Sequence, residues 1–194
     1  YRIGVATYSV GVAYNNRKTS LQFIQQEMNN ITALSNETCQ LGIQSRNMVL
    51  YIAKKDSPQP IRLMSSVGKQ LPLYCTGLGR ALLAYKSEEE IRNLFPEVLT
   101  AYTPHTIATI NDLLKELELT RQRGYAVEHE ETNLMVNCIA VSLDYNNAPI
   151  AALSISIPTF RISESKEKEA VQILWEAKQR IETHFKMYGV DFGN

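Results

Sequence analysis

Four groups of residues in this chain are of types that do chemistry. The first is Leu71-Pro-Leu-Tyr-Cys-Thr-Gly-Leu-Gly-Arg80-Ala-Leu-Leu-Ala84, where a proline and two closely spaced glycines lead into an apolar helical run. Backbone amides at the mouth of a helix have no intrahelical acceptor, and the helix dipole favours an anion there. Gly77 and Gly79 carry no side chain, so a ligand can approach the backbone; the same glycines also suit tight packing at a plain loop-to-helix entry. The second group is Gly124-Tyr-Ala-Val-Glu-His-Glu-Glu131. On a strand, Glu128 and Glu130 share one face, and His129 and Glu131 the other. Paired carboxylates can pass protons as acid and base; the alternative is a solvated strand end. The third is Cys138 within Val136-Asn-Cys-Ile-Ala-Val141. It is either an inert small hydrophobe or a nucleophile, and a nucleophile needs a nearby histidine and an electropositive setting. The fourth is Ala151-Ala-Leu-Ser-Ile-Ser-Ile157. A period of two sets Ser154 and Ser156 on one face and Leu153, Ile155 and Ile157 on the other. Those hydroxyls either meet solvent or line a cavity.

Other patterns point away from metal and cofactor chemistry. His129-Glu130 does not continue into a zinc-binding helix motif, because position 133 is Asn. His105, His129 and His184 have no ligand spacing behind them. Gly77-x-Gly79 lacks the third glycine of a dinucleotide turn. Ser163-x-x-Lys166 opens a polar helix and reads as a cap. No metal and no cofactor is expected.

The elements that must position these groups follow from periodicity. A short helix is expected within residues 5–18, then one capped by Ser20 with Leu21, Ile24, Met28, Ile31 and Leu34 as its apolar stripe. Three strands are expected at Thr38–Gln44, Met48–Lys54 and Pro60–Ser65, the first two joined at Arg46-Asn47. Helices follow over Thr76–Tyr85, after the capping box Ser87-Glu-Glu-Glu90, and from Asn111 to Arg123, with Gly124 as C-cap. Leu99–Thr109 reads as an exposed loop. Three more strands are expected at Tyr125–His129, Met135–Asp144 and Pro149–Pro158, the last two joined by Tyr145-Asn-Asn-Ala148. A helix from Ser163 to Tyr188 closes the chain, with Val171, Leu174, Ala177, Ile181 and Phe185 inward. Strand clusters separated by helices indicate an α+β fold on an antiparallel sheet.

Composition narrows the function. The 194 residues hold 20 Lys plus Arg and 20 Asp plus Glu, so the chain lacks the basic footprint of nucleic-acid binding. Nor is there a polybasic cue for membranes or an apolar run of about 20 residues. The three cysteines Cys39, Cys75 and Cys138 form no Cys-x-x-Cys pair and indicate a reducing, cytoplasmic setting. The opening at Tyr1 without Met suggests a segment of something longer.

Several stretches, in order, resemble the effector-binding domain of IclR-type bacterial transcriptional regulators, a GAF-like (profilin-like) fold. They are Tyr-Arg-Ile-Gly4, Ser-Ser-Val-Gly68 with Leu71–Ala84, Thr-Pro-His-Thr-Ile107, Arg-Gly-Tyr-Ala-Val-Glu-His-Glu-Glu131, Cys-Ile-Ala140 and Ala-Ala-Leu-Ser-Ile-Ser156. The resemblance implies a sheet of about six strands flanked by helices. It implies that residues 1–18 are the end of a missing winged helix-turn-helix domain plus a linker helix, and that residues 19–194 bind the effector. By position, Gly77 and Leu78 would receive a ligand carboxylate, with Glu128, Cys138, Ser154 and Ser156 completing the pocket. Arg80 stands for a usual Lys, Met135 for a common Gly and Ser142 for a common Pro; Met135 is expected to narrow the entrance. The implied ligand is a small keto or sugar acid, and the implied assembly a homodimer or tetramer that meets DNA only through the missing domain. Two rival readings stand beside it. One is an enzyme using Cys75 or Cys138 with His105 or His129; the other is a dimerisation module with no ligand.

Overall fold

The computed structural model describes residues 20–60 and 66–191. The expected helix within 5–18 lies outside them, as does nearly all of the expected strand 60–65. The described elements are α1 (Ser20–Ser35), β1 (Thr38–Ser45), β2 (Met48–Lys55), β3 (Gln70–Pro72), α2 (Gly77–Leu83), α3 (Glu88–Leu94), α4 (Ile110–Arg123), β4 (Ala126–His129), β5 (Val136–Tyr145), β6 (Ala148–Pro158) and α5 (Glu164–Tyr188). They form an α+β fold on one antiparallel sheet of order β3-β2-β1-β6-β5-β4. Gln70–Pro72, just ahead of the glycine turn, is a strand paired with β2 and not only a lead into the helix.

Alternation along the strands divides the interior in two. On one face Leu41, Ile139, Val141, Leu153, Ile155 and Ile157 pack under α1 and α5. The helices answer with Ile24, Met28 and Ile31, and with Leu174, Ala177, Ile181 and Phe185. The Arg180–Glu27 ion pair at 2.9 Å and the stacked rings of Phe23 and His184 join the two helices further out. Leu34 departs from its expected place and is 56% exposed; the inward stripe of α1 continues from Ile31 to Ser35. Ser20 lies inside α1, and its hydroxyl accepts from Asp191 N and donates to Gly189 O at the far end of the chain.

On the other face the strands present small residues, Ala126, Ala140 and Ala152, to Leu78 and Leu82 of α2 and Leu113 and Leu117 of α4. That smallness lets α2 sit close. A Cβ added to Gly77 would stand 3.3 Å from Cys138 Cβ and 3.4 Å from Ala140 Cβ. The β5–β6 hairpin turns through Asn146 and Asn147, at φ of 51° and 62°, the left-handed pair that matches strand twist. β5 runs on past the start of β4. There Lys178 Nζ of α5 donates to Ser142 O at 2.8 Å, and Glu182 Oε1 accepts from Asp144 N at 2.9 Å.

Candidate functional site

Strand register assembles the site. Glu128, Cys138, Ser156 and Thr38 form one row across β4, β5, β6 and β1, with Ala126, Ala140, Ser154 and Gln40 as the next. Directly opposed residues share a face, so Glu128, Cys138, Ser154 and Ser156 all point to the side that α2 covers. They are bonded to one another and to Gln40. The Ser156 and Ser154 hydroxyls donate to Gln40 Oε1 at 3.0 and 3.4 Å, and Cys138 Sγ lies 3.2 Å from Ser156 Oγ. Glu128 Oε1 accepts from the amides of Glu131 at 2.6 Å and Thr132 at 3.2 Å.

The acidic cluster is therefore no solvated strand end: Glu128 and Glu131 are both buried. Nor does alternation carry through it, because β4 stops at His129 and Glu130 is left-handed at φ 56°. Burial pushes the Glu128 carboxyl up, against the lowering effect of the Cys138 thiol and the two amides. Burial, reinforced by Glu128, holds the Cys138 thiol well above its usual range, and Cys75 is pushed up to about 12 chiefly by burial. Neither thiol has a histidine beside it. His129 Nδ1 pairs with Asn137 Oδ1 at 2.9 Å on the outer side, and His105 is exposed. A thiol in this setting is a poor nucleophile.

The entry to α2 separates the two glycines. Thr76 caps the helix, its hydroxyl accepting from Gly79 N at 3.1 Å and donating to Pro72 O at 3.1 Å. A Cβ on Gly79 would fall 2.1 Å from Leu73 O, so this glycine serves the fold-back of its own chain and offers nothing to a ligand. Gly77 and Leu78 supply the first two amides of the helix, outside its i→i−4 ladder.

These residues bound a cavity of about 30 Å³ between α2, β2, β5 and the 130–135 loop. Gly77, Leu78, Glu128, Cys138 and Ser154 line it; Ser156 stands behind them, bonded to Cys138 and Gln40. Sequence reasoning missed further lining residues, Gln40, Tyr51 and Lys69 among them. Tyr51 left a signal, a phenol two residues from Val49 on the buried side of β2; a bulge opposite Leu41 and Gly42 turns Ala53 to the other face. Met135 does not narrow the entrance, since its side chain is exposed and absent from the lining. Its φ of 67° accounts for the glycine that the resemblance placed there.

Arg80 is the other residue whose role was not foreseen. It is 2% exposed, donates to Tyr74 O at 3.0 Å and Val127 O at 2.9 Å, and pairs with Glu131. Glu131 in turn accepts from Ile107 N at 3.2 Å, and its carbonyl from the Thr106 hydroxyl at 2.6 Å. The stretch expected to be an exposed loop is thereby pinned to the floor of the site, with Thr106 buried. A larger cleft of about 210 Å³ lies beside Tyr85, Arg121 and Ser142. Its polar groups are engaged: Arg121 donates to Ala84 O and Lys86 O at 2.8 Å each, and the Tyr85 hydroxyl bonds Asp144 at 2.5 Å. Among the described residues no group of three or more His, Cys, Asp or Glu could hold a metal ion, and no helix is long and apolar enough to cross a membrane.

Residues 13–183 match the family described as Bacterial transcriptional regulator IclR C-terminal. The chain belongs to the IclR family. Its relatives include the HTH-type transcriptional regulator KdgR of Dickeya chrysanthemi, 38% identical over 157 residues, which are 80% of this chain and 52% of that protein. The HTH-type transcriptional repressor AllR of Salmonella typhi is 32% identical over 185 residues, 94% of this chain and 68% of that protein. The chain thus spans about half the length of KdgR. Among solved IclR structures, that of Thermotoga maritima superposes with a TM-score of 0.85 at 30% identity, covering 93% of this chain and 74% of that one.

Proposed function

We propose that this chain is the effector-sensing and oligomerising part of a cytoplasmic IclR regulator, and that the cavity under α2 binds a small carboxylate-bearing keto or sugar acid. The observation that supports this best is the convergence of Glu128, Cys138, Ser154 and the Gly77–Leu78 amides on one cavity. The amides suit a carboxylate, and the hydroxyls suit oxo or hydroxyl oxygens. With its carboxyl pushed up, Glu128 holds a proton more readily, and in that form it donates to the ligand without repelling it. DNA contact belongs to an N-terminal winged helix-turn-helix domain beyond the residues described, and a homodimer or tetramer couples that domain to the sensor.

The cavity as it stands is narrow, about 30 Å³. A keto acid enters only if the cover moves, and that cover includes Lys69, Thr132 and Asn133. Binding then selects an opened state, which is how a ligand biases the arrangement of an oligomer.

Calorimetry with pyruvate and gluconate tests this reading. Ser154→Ala is expected to weaken binding of whichever acid binds by roughly 2- to 12-fold, from a lost hydrogen bond of about 0.5–1.5 kcal/mol. Glu128→Ala is expected to do at least as much, and Cys138→Ser to retain most affinity. Binding unchanged in both Ser154→Ala and Glu128→Ala would place the ligand elsewhere.

A further inference from the structure

We infer that Tyr51 and Lys69 are ligand contacts: Tyr51 donates a hydrogen bond to a ligand oxygen inside the cavity, and Lys69 supplies the cation that pairs with a single carboxylate at its mouth. The inference rests on the effector reading above and adds two side chains that the family resemblance does not assign.

Tyr51 is 7% exposed and lines the cavity; its hydroxyl makes no hydrogen bond to a described residue and is not among the enclosed unpaired polar atoms, so it opens onto the cavity. A phenol that opens onto a polar cavity without an internal partner is available to donate to whatever fills that cavity. The groups it faces electrostatically are Cys138, Glu128 and Cys75. With burial as the larger cause, they hold the phenol in its neutral, donating form.

Lys69 is the sole cation among the described residues that line the cavity, and its ammonium makes no ion pair among them. Arg80, the nearest rival in the architecture, is consumed by Tyr74 O, Val127 O and Glu131. The backbone sets Lys69 and Tyr51 side by side. Tyr51 N donates to Lys69 O at 3.0 Å, and Gly68 N to Tyr51 O at 2.8 Å, across a turn that needs Gly68 at φ 86°.

Charge then chooses the ligand class. The α2 amides offer only partial positive charge, and Glu128 adds a buried acid on the other side. One lysine balances one carboxylate. A dicarboxylate or a phosphate would leave a second charge facing Glu128 without a partner. The structure therefore favours a monocarboxylate with a neighbouring oxo or hydroxyl oxygen.

The test is calorimetry on the 194-residue chain with three probes: pyruvate, its uncharged analogue pyruvamide, and the dianion 2-oxoglutarate. The wild type is expected to bind pyruvate at least tenfold more tightly than either of the others. Lys69→Gln is expected to weaken pyruvate about tenfold and to abolish its advantage over pyruvamide, while Lys69→Arg keeps both. Tyr51→Phe is expected to weaken pyruvate and pyruvamide equally, several-fold, with an unliganded melting temperature no lower than that of the wild type. If Ser154→Ala weakens pyruvate while Lys69→Gln and Tyr51→Phe bind it as the wild type does, this inference falls and the effector reading stands. Tighter binding of 2-oxoglutarate than of pyruvate overturns the single-charge argument. If none of the three binds the wild type at millimolar concentration, this inference falls, and the effector reading falls with it only if gluconate does not bind either.

Discussion

The two faces of the sheet are equally buried and chemically opposite. Along β6, Leu153, Ile155 and Ile157 are 0% exposed, and between them Ser154 and Ser156 are 1% and 2% exposed. The face under α1 and α5 is closed at its centre by shape, apolar atoms against apolar atoms, with ion pairs and backbone contacts only at its margins. The face under α2 is closed by bonding: two hydroxyls share Gln40, Glu128 takes two amides, and Arg80 holds three elements at once. Truncation on the dry face costs buried apolar contact and leaves a cavity, whereas on the bonded face the large cost falls where a buried charge loses its partner and a lost neutral hydrogen bond costs less.

Arg80→Ala breaks the bonded face hardest. It strands Glu131 in a buried position, and urea denaturation is expected to show a loss of about 3–5 kcal/mol. Arg80→Lys is expected to recover only part of this, because a point charge cannot reach two carbonyls and a carboxylate together. A loss below about 1 kcal/mol for Arg80→Ala would show that the polar face is not held by this pair. Next in size is a contrast between neighbours. Leu153→Ala is expected to cost about 2–5 kcal/mol through the cavity it leaves, and Ser154→Ala about 0.5–1.5 kcal/mol. Equal costs for the two would erase the distinction between the faces.

The smallest effect concerns Glu128 and has a definite sign. Its folded carboxyl is raised above the ordinary value of 4.5, so folding favours the protonated form. That contribution is fully present below about pH 4.5 and is lost as pH rises through the folded value. Glu128→Gln mimics the protonated acid and can still accept from Glu131 N and Thr132 N. Its melting temperature relative to wild type is expected to climb between pH 4.5 and neutrality. A difference that is flat with pH would mean that the carboxyl titrates normally.

Local patterns carried most of the fold. The spacing of Ile24, Met28 and Ile31, the inward positions of α5 and the paired asparagines of the last hairpin all sit where their neighbours in sequence place them. The capping box of Ser87 and Glu90 is likewise formed. What escaped was set by distant partners. β3 exists because Met48 to Leu50 pair with it, and no alternation marks three residues that include a proline. Arg80 meets Glu131 across 51 residues of chain, a separation at which charge patterning is mute. At the site, the residues alone suggested Glu128, Cys138 and the serines without saying that they meet. The family resemblance grouped them, and strand register supplies the physical reason.

The way β5 ends has one more consequence. A strand that outruns its neighbour leaves a ragged edge of backbone donors and acceptors, which is a template for the strand of another molecule. Here two side chains of α5 stand in for the missing strand, Lys178 on Ser142 O and Glu182 on Asp144 N. The edge is thereby blunted against fibre-like growth by strand addition. At this stretch of β5 the backbone is spoken for, so strand addition, which any sequence could make, finds no template there.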